Sequence, residues 1–175
     1  ARAVEDLTGF RWFAAADPVG CGDRSDPSVQ RFGSLCWGDV DLSDSDVFGF
    51  RAMAGGVDGK VILEPTRTMT PTRSMVTAEL AANAAGYVAA RDLAAPAAER
   101  RLLRWVEADT DAEDPLRAQL AWLHARILAE AVSPGGPEVS DDLALYRLGA
   151  ANGGAVRGWS LVLTALLQDP RMVLY

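Results

Sequence analysis

The chain has one histidine, His124, and one lysine, Lys60. A Ser-His-Asp or Cys-His centre would therefore have to use His124. The surrounding stretch, Trp122-Leu123-His124-Ala125-Arg126, reads as part of an amphipathic helix. No nucleophile elbow is present, because Gly158-Trp159-Ser160 lacks the x-Gly that would complete it. The longest apolar stretch, Trp159 to Leu167, is broken by Ser160 and Thr164 and falls short of the roughly 18 residues that a spanning helix needs. Basic residues nowhere run together beyond Arg100-Arg101 with Arg104. With a net charge of −7, the chain repels phosphate, which argues against nucleic acid and anionic membrane as partners. Neither Cys-x-x-Cys nor Cys-x-x-Cys-His occurs, so this stretch carries no covalently attached haem and no zinc ribbon.

What is present is an ordinary globular balance: 175 residues, 49% of them hydrophobic and 23% charged. That suits one folded unit, or a compact piece of a longer chain. The chain starts Ala1-Arg2-Ala3, as a processed protein, a proteolytic piece or a fragment would. The two cysteines, Cys21 and Cys36, lie in a segment rich in Gly, Asp and Ser. Such a segment has little apolar surface to hold itself, and a bridge closing a loop of about fifteen residues contributes about 3 kcal/mol in the chain-entropy account. A Cys21–Cys36 disulfide is the expectation, with two reduced thiols as the alternative. A bridge implies a periplasmic or extracellular location.

Near Met69 the chain divides. Residues 1–69 read as irregular and 70–175 as helical. A short helix is expected over Val4–Ala14. Val47–Met53 and Lys60–Leu63 read as short strands of a β-hairpin around the glycine-rich turn Gly55-Gly56-Val57-Asp58-Gly59. Thr70-Pro71 announces a long helix by a cap followed by proline. Met75, Leu80, Ala84, Val88 and Leu93 mark its apolar side, and it ends near Ala95-Pro96. A second helix is expected over Pro96–Ala108. A third starts at Asp114-Pro115, with Leu116, Leu120, Leu123, Ile127 and Ala131 at helical spacing. The break Ser133-Pro134-Gly135-Gly136-Pro137 precedes a fourth, capped by Ser140 and ending at Asn152-Gly153-Gly154. A fifth runs over Ala155–Gln168. The expected fold is mainly α, a bundle of about five helices with an irregular, disulfide-closed N-terminal segment.

The acidic cluster Asp39, Asp41, Asp44 and Asp46 has the oxygen ligands that Ca²⁺ favours. It is no EF-hand: Asp44 stands where glycine is needed and Phe50 where glutamate is. A solvated loop with local side-chain caps is the competing reading. A second run, Glu107, Asp109, Asp111, Glu113 and Asp114, spans a helix junction and reads as solvated. Trp105, Trp122 and Trp159 are expected on helices, as core or interaction anchors. No catalytic residue is assigned and no cofactor is expected, with Ca²⁺ the alternative at the acidic cluster.

The stretch from Trp159 to Tyr175, with Leu166-Leu167-Gln168-Asp169-Pro170-Arg171-Met172, resembles a recurring leucine-leucine-x-serine-proline-x-phenylalanine helix end. That pattern is found in large secreted bacterial multidomain proteins of the planctomycete cytochrome-associated type. Here Asp169 replaces the usual serine and Met172-Val173 the usual phenylalanine-leucine. Gly55 to Gly59, followed by Thr68-Met69-Thr70-Pro71, is similar to the turn that leads into the same helical domain, so the resemblance covers about residues 50–175. It implies an exported piece of a longer chain, and it carries over no catalytic residues. The expected role is that of a structural or interaction protein, an accessory subunit or fragment of a larger extracytoplasmic assembly, associated with electron transfer. Its partners would be other subunits or further domains of the same protein. The competing readings are a carbohydrate-active or carbohydrate-binding unit using the Asp39–Asp46 loop, and a haem module using His124 with Met69 or Met75.

Overall fold

Four long helices carry the fold, and small residues set how closely they approach. A computed structural model describes residues 2–10, 13–14, 30–32, 35–37, 40–41, 50–56, 64–65, 68 and 70–173. The elements in chain order are α1 (Arg2–Thr8), β1 (Phe13–Ala14), β2 (Gln30–Phe32), β3 (Leu35–Trp37), β4 (Val40–Asp41), α2 (Phe50–Met53), α3 (Pro71–Ala94), α4 (Glu113–Leu128), α5 (Pro137–Ala151), α6 (Gly154–Leu167) and α7 (Pro170–Val173). The fold is thus mainly α, with four long helices rather than five.

The start of α3 follows from local chemistry. Thr70 Oγ1 accepts a hydrogen bond from the Arg73 amide at 3.1 Å, and Pro71 occupies the first helical position. Val76, Leu80, Ala84 and Val88 are buried at four-residue intervals, joined by Ala81, Ala85 and Ala89. Met75, expected on this face, is 56% exposed, and Val76 holds the core position instead. The alanines let α6 lie close along α3. A Cβ on Gly86 would meet the Ser160 hydroxyl at 3.4 Å. Buried Trp159, Val162, Leu163, Leu166 and Leu167 make α6 the central helix, packed on α3 and α5. α5 reverses into α6 through Asn152-Gly153-Gly154, where Gly154 adopts a φ of +73° that disfavours any side chain.

The expected helix over Pro96–Ala108 is absent. Only a 3₁₀ turn forms, Ala97–Glu99, and the chain then runs without regular structure to α4. Proline at 96 closes α3. Beyond it, Leu102, Leu103 and Val106 are all fully buried, although their spacing would equally suit one helix face. Asp92 and Gln119 from outside the segment, and Arg100 within it, take up backbone groups that a helix would have paired, as described below.

Three helix boundaries differ from expectation. α4 begins at Glu113, so Pro115 is its third residue, where a missing N–H costs nothing. α5 begins at Pro137 rather than at Ser140, whose hydroxyl donates to the Gly136 carbonyl at 2.9 Å from inside the first turn. α1 stops at Thr8 instead of Ala14. The Thr8 hydroxyl donates to the Val4 carbonyl and accepts from the Phe10 amide, and Gly9 turns the chain at a φ of +72°.

The hairpin also lies elsewhere. Phe50–Met53, expected as a strand, is the short helix α2, followed by a turn in which Gly55 has a φ of +86°. Lys60–Leu63 lies outside the described residues. The antiparallel pairs are instead β2 with β3, in register Arg31↔Cys36, and β1 with β4. No helix among the described residues is long and apolar enough to cross a membrane.

Candidate functional site

Three buried polar side chains build the loop between α3 and α4. Asp92 is 1% exposed and sits in the last turn of α3. Its carboxylate accepts from the amides of Arg101, Leu102 and Leu103 at 2.7 to 3.1 Å, bonds that would otherwise belong to a helix. Arg100 is buried, with Nε donating to the Ala95 carbonyl at 2.7 Å and Nη1 to the Val106 carbonyl at 2.6 Å. Its Nη2 reaches Glu107, whose carboxyl is held below its ordinary range by that hydrogen bond. Gln119, fully buried on α4, works at two points: Oε1 accepts from the Trp105 amide at 3.1 Å and Nε2 donates to the Leu102 carbonyl at 2.8 Å.

This scaffold presents Trp105 to solvent, 54% exposed, on the loop and not on a helix. Its ring lies 5.7 Å from that of Trp122 on α4, tilted by 60°. Trp122 is half-buried, and the Arg104 guanidinium stands 5.4 Å from its ring centroid. One helical turn further along α4 is Arg126, exposed. Neither Arg104 nor Arg126 makes an ion pair among the described residues. By contrast, Arg100, Arg117, Arg147 and Arg171 all do, with Glu107, Glu113, Glu113 and Asp169 respectively. Trp159 has a different place: it is fully buried, its ring 4.7 Å from that of Tyr146, with Nε1 lacking a hydrogen-bond partner.

His124 is 5% exposed on α4. Nε2 donates to Asp142 on α5 at 2.8 Å, while Nδ1, with no hydrogen bond, faces Glu130 at 3.7 Å. Glu130 in turn pairs with Arg171 at 2.6 Å, and Arg171 also holds Asp169. The His124–Asp142 geometry would orient an imidazole for catalysis, but no hydroxyl or thiol is hydrogen-bonded to Nδ1, so the pair lacks a nucleophile among the described residues. The same engagement leaves Nε2 no free coordination position for a haem iron. Burial pushes the Asp142 carboxyl up, opposed by the hydrogen bond with His124. The Arg171 guanidinium beside Asp169 holds that carboxyl down. These contacts fasten the C-terminal turn to α4.

The second acidic run is structural in part, since Glu113 joins Arg117 at 2.7 Å and Arg147 at 2.6 Å and so links α4 to α5. Cys21, Asp39, Asp44, Asp46 and Met69 lie outside the described residues, while Cys36 falls in β3 and Asp41 in β4. The described residues therefore leave the Cys21–Cys36 bridge and the Ca²⁺ loop as expectations, and they contain no group of three or more metal-ligating side chains.

Sequence reasoning passed over Asp92 and Gln119, although each leaves a trace. Asp92 is the next step of the series Val76, Leu80, Ala84, Val88, a carboxylate at a core position. Gln119 likewise falls among Leu116, Leu120 and Leu123. A polar residue within an apolar stripe signals a buried partner.

The fold and this surface define a helical domain with an exposed indole on a loop held by buried polar side chains. No protein-family model, curated protein or solved structure matches the chain.

Proposed function

We propose that the chain is an interaction domain, an accessory subunit or fragment of a larger extracytoplasmic assembly, that docks through Trp105, Trp122 and Arg104. The observation that carries this reading is an exposed tryptophan fixed in place by buried polar groups. Burying Asp92, Arg100 and Gln119 is costly unless they are hydrogen-bonded, and here each spends its bonds on the backbone of the loop that carries Trp105. Tryptophan and arginine are the residues that most often dominate binding energy at protein interfaces. A preformed loop also avoids the ordering cost of association. Export from the cytoplasm and an association with electron-transfer proteins draw their support from the expected Cys21–Cys36 bridge and the family resemblance over residues 50–175.

Native mass spectrometry of the protein isolated from its own cells tests the reading. The expected result is a mass above 18.6 kDa that resolves into further subunits and that falls on Trp105→Ala. A monomer at the sequence mass for both proteins would overturn it. The same spectrum reports the bridge as a loss of two hydrogens.

A further inference from the structure

We propose that the occupant of the Trp105–Trp122 surface is an acidic peptide segment of a partner protein, carrying an aromatic side chain between its carboxylates. This rests on the docking reading above. The argument is one of charge complementarity. The chain as a whole is acidic, at −7; the arginines at 100, 117, 147 and 171 are matched by its own carboxylates, while Arg91, Arg101, Arg104, Arg126 and Arg157 make no ion pair among the described residues. Arg104 and Arg126 are the two that flank the indoles, and both are left unmatched among the described residues. Arg104 stands 5.4 Å from the Trp122 ring centroid, so its guanidinium is partly stripped of water on that side and open to a carboxylate on the other. Arg126 shares the face of α4 with Trp122, one turn on.

The aromatic part of the ligand follows from the rings. Two indoles 5.7 Å apart at 60° do not form one flat platform of the kind on which a sugar ring lies. They form a corner, which suits a phenyl or indole side chain meeting one ring by its face and the other by its edge. A nucleic acid strand also offers rings and negative charge, but its dense phosphates meet repulsion from the rest of this acidic surface. A short acidic peptide carries fewer charges than a nucleic acid strand and so meets less repulsion from exposed Glu107, Asp109 and Asp111 on the same loop.

The test is fluorescence anisotropy of dye-labelled, capped pentapeptides with the whole chain. One peptide has four acidic residues around a central phenylalanine, a second has lysines in place of the acids, and a third has alanine in place of the phenylalanine. Saturable binding of the first is expected, weaker by about tenfold or more for each of the others, a difference of about 1.4 kcal/mol. Trp105→Ala, Arg104→Gln and Arg126→Gln should each weaken it at least about fivefold with unchanged circular dichroism. Raising salt from about 50 to about 500 mM should weaken it further. Equal binding of the lysine peptide would overturn the acidic assignment while leaving the docking surface in place. Tighter binding of oligothymidylate or polygalacturonate would replace the peptide by another class. No binding of any peptide up to about 5 mM would overturn the proposal. The docking reading would then stand or fall by the native mass alone.

Discussion

A Cβ placed on Gly149 would stand 2.8 Å from the Cα of Gly158, so α5 and α6 touch backbone to backbone where they cross. At Gly158 the added atom would meet the Tyr146 ring at 2.7 Å and the Tyr146 carbonyl at 2.8 Å. That ring cannot withdraw freely, because it lies against buried Trp159.

Gly158→Ala should therefore destabilise the protein by about 1–3 kcal/mol, the usual cost of overpacking, despite the gain in helix propensity. Gly86→Ala meets only the Ser160 hydroxyl at 3.4 Å and lies inside α3. It should be neutral or stabilising, by up to about 1 kcal/mol. Chemical denaturation of both variants checks the pair, and a stable Gly158→Ala protein would refute the close crossing.

The tryptophans should separate by position. Trp159→Ala empties a fully buried site and is expected to cost about 3–5 kcal/mol. Trp105→Ala removes an exposed ring and should cost about 1 kcal/mol or less. Thermal melts of the two variants decide this, and comparable losses would show that Trp105 serves stability.

Asp92→Ala would strand the amides of Arg101, Leu102 and Leu103, each an unsatisfied buried or part-buried donor worth about 1–3 kcal/mol. The loss in global stability is capped, because the loop can open to water instead. Amide hydrogen exchange at residues 101–103 should accelerate at least tenfold, by an opening cost lowered by about 1.4 kcal/mol or more. Unchanged exchange would remove Asp92 from its anchoring role.

Asp142 and Asp169 should give opposite slopes with pH. Burial raises the folded pKa of Asp142, so its contribution is favourable below the unfolded value and is lost as pH rises through the folded one. Asp142→Asn should therefore look better, relative to the native protein, at pH 7 than at pH 3.5. Asp169 is held down by Arg171, so its contribution is present at neutral pH and lost as pH falls. Asp169→Asn should look worse at pH 7 than at pH 3.5. Melting temperatures at the two pH values give both signs, and a shared sign would contradict the assignment.

The parts of the fold that were legible are those decided within a few residues. Thr70-Pro71 marked the start of α3, Ala95-Pro96 its end, and Asn152-Gly153-Gly154 the reversal between α5 and α6. The parts that misled are decided at a distance. Residues 96–108 contain enough leucine and arginine for a helix, but the Asp92 carboxylate and the Gln119 amide capture the backbone groups that a helix would have used. Met75 and Val76 are adjacent and both apolar, so which one faces inward depends on the rotation at which α3 meets its neighbours. As for the site, the tryptophans and Arg104 were visible as residues. Trp159 falls in step with Val162, Leu163 and Leu166, which turns it inward, but the exposure of Trp105 was not legible, because it lies on a stretch that forms no helix.

The Gln119 side chain grips the loop at Leu102 and at Trp105 and so measures the interval between them. Inserting or deleting one residue there would carry the indole off its mount, whereas residues 111 and 112, beyond the turn that Glu107 and Thr110 close, are exposed. Among homologous chains, length variation should collect in that later stretch and avoid the interval. An engineer grafting a new loop onto this scaffold would cut after Thr110 and leave the four residues from Leu102 to Trp105 intact.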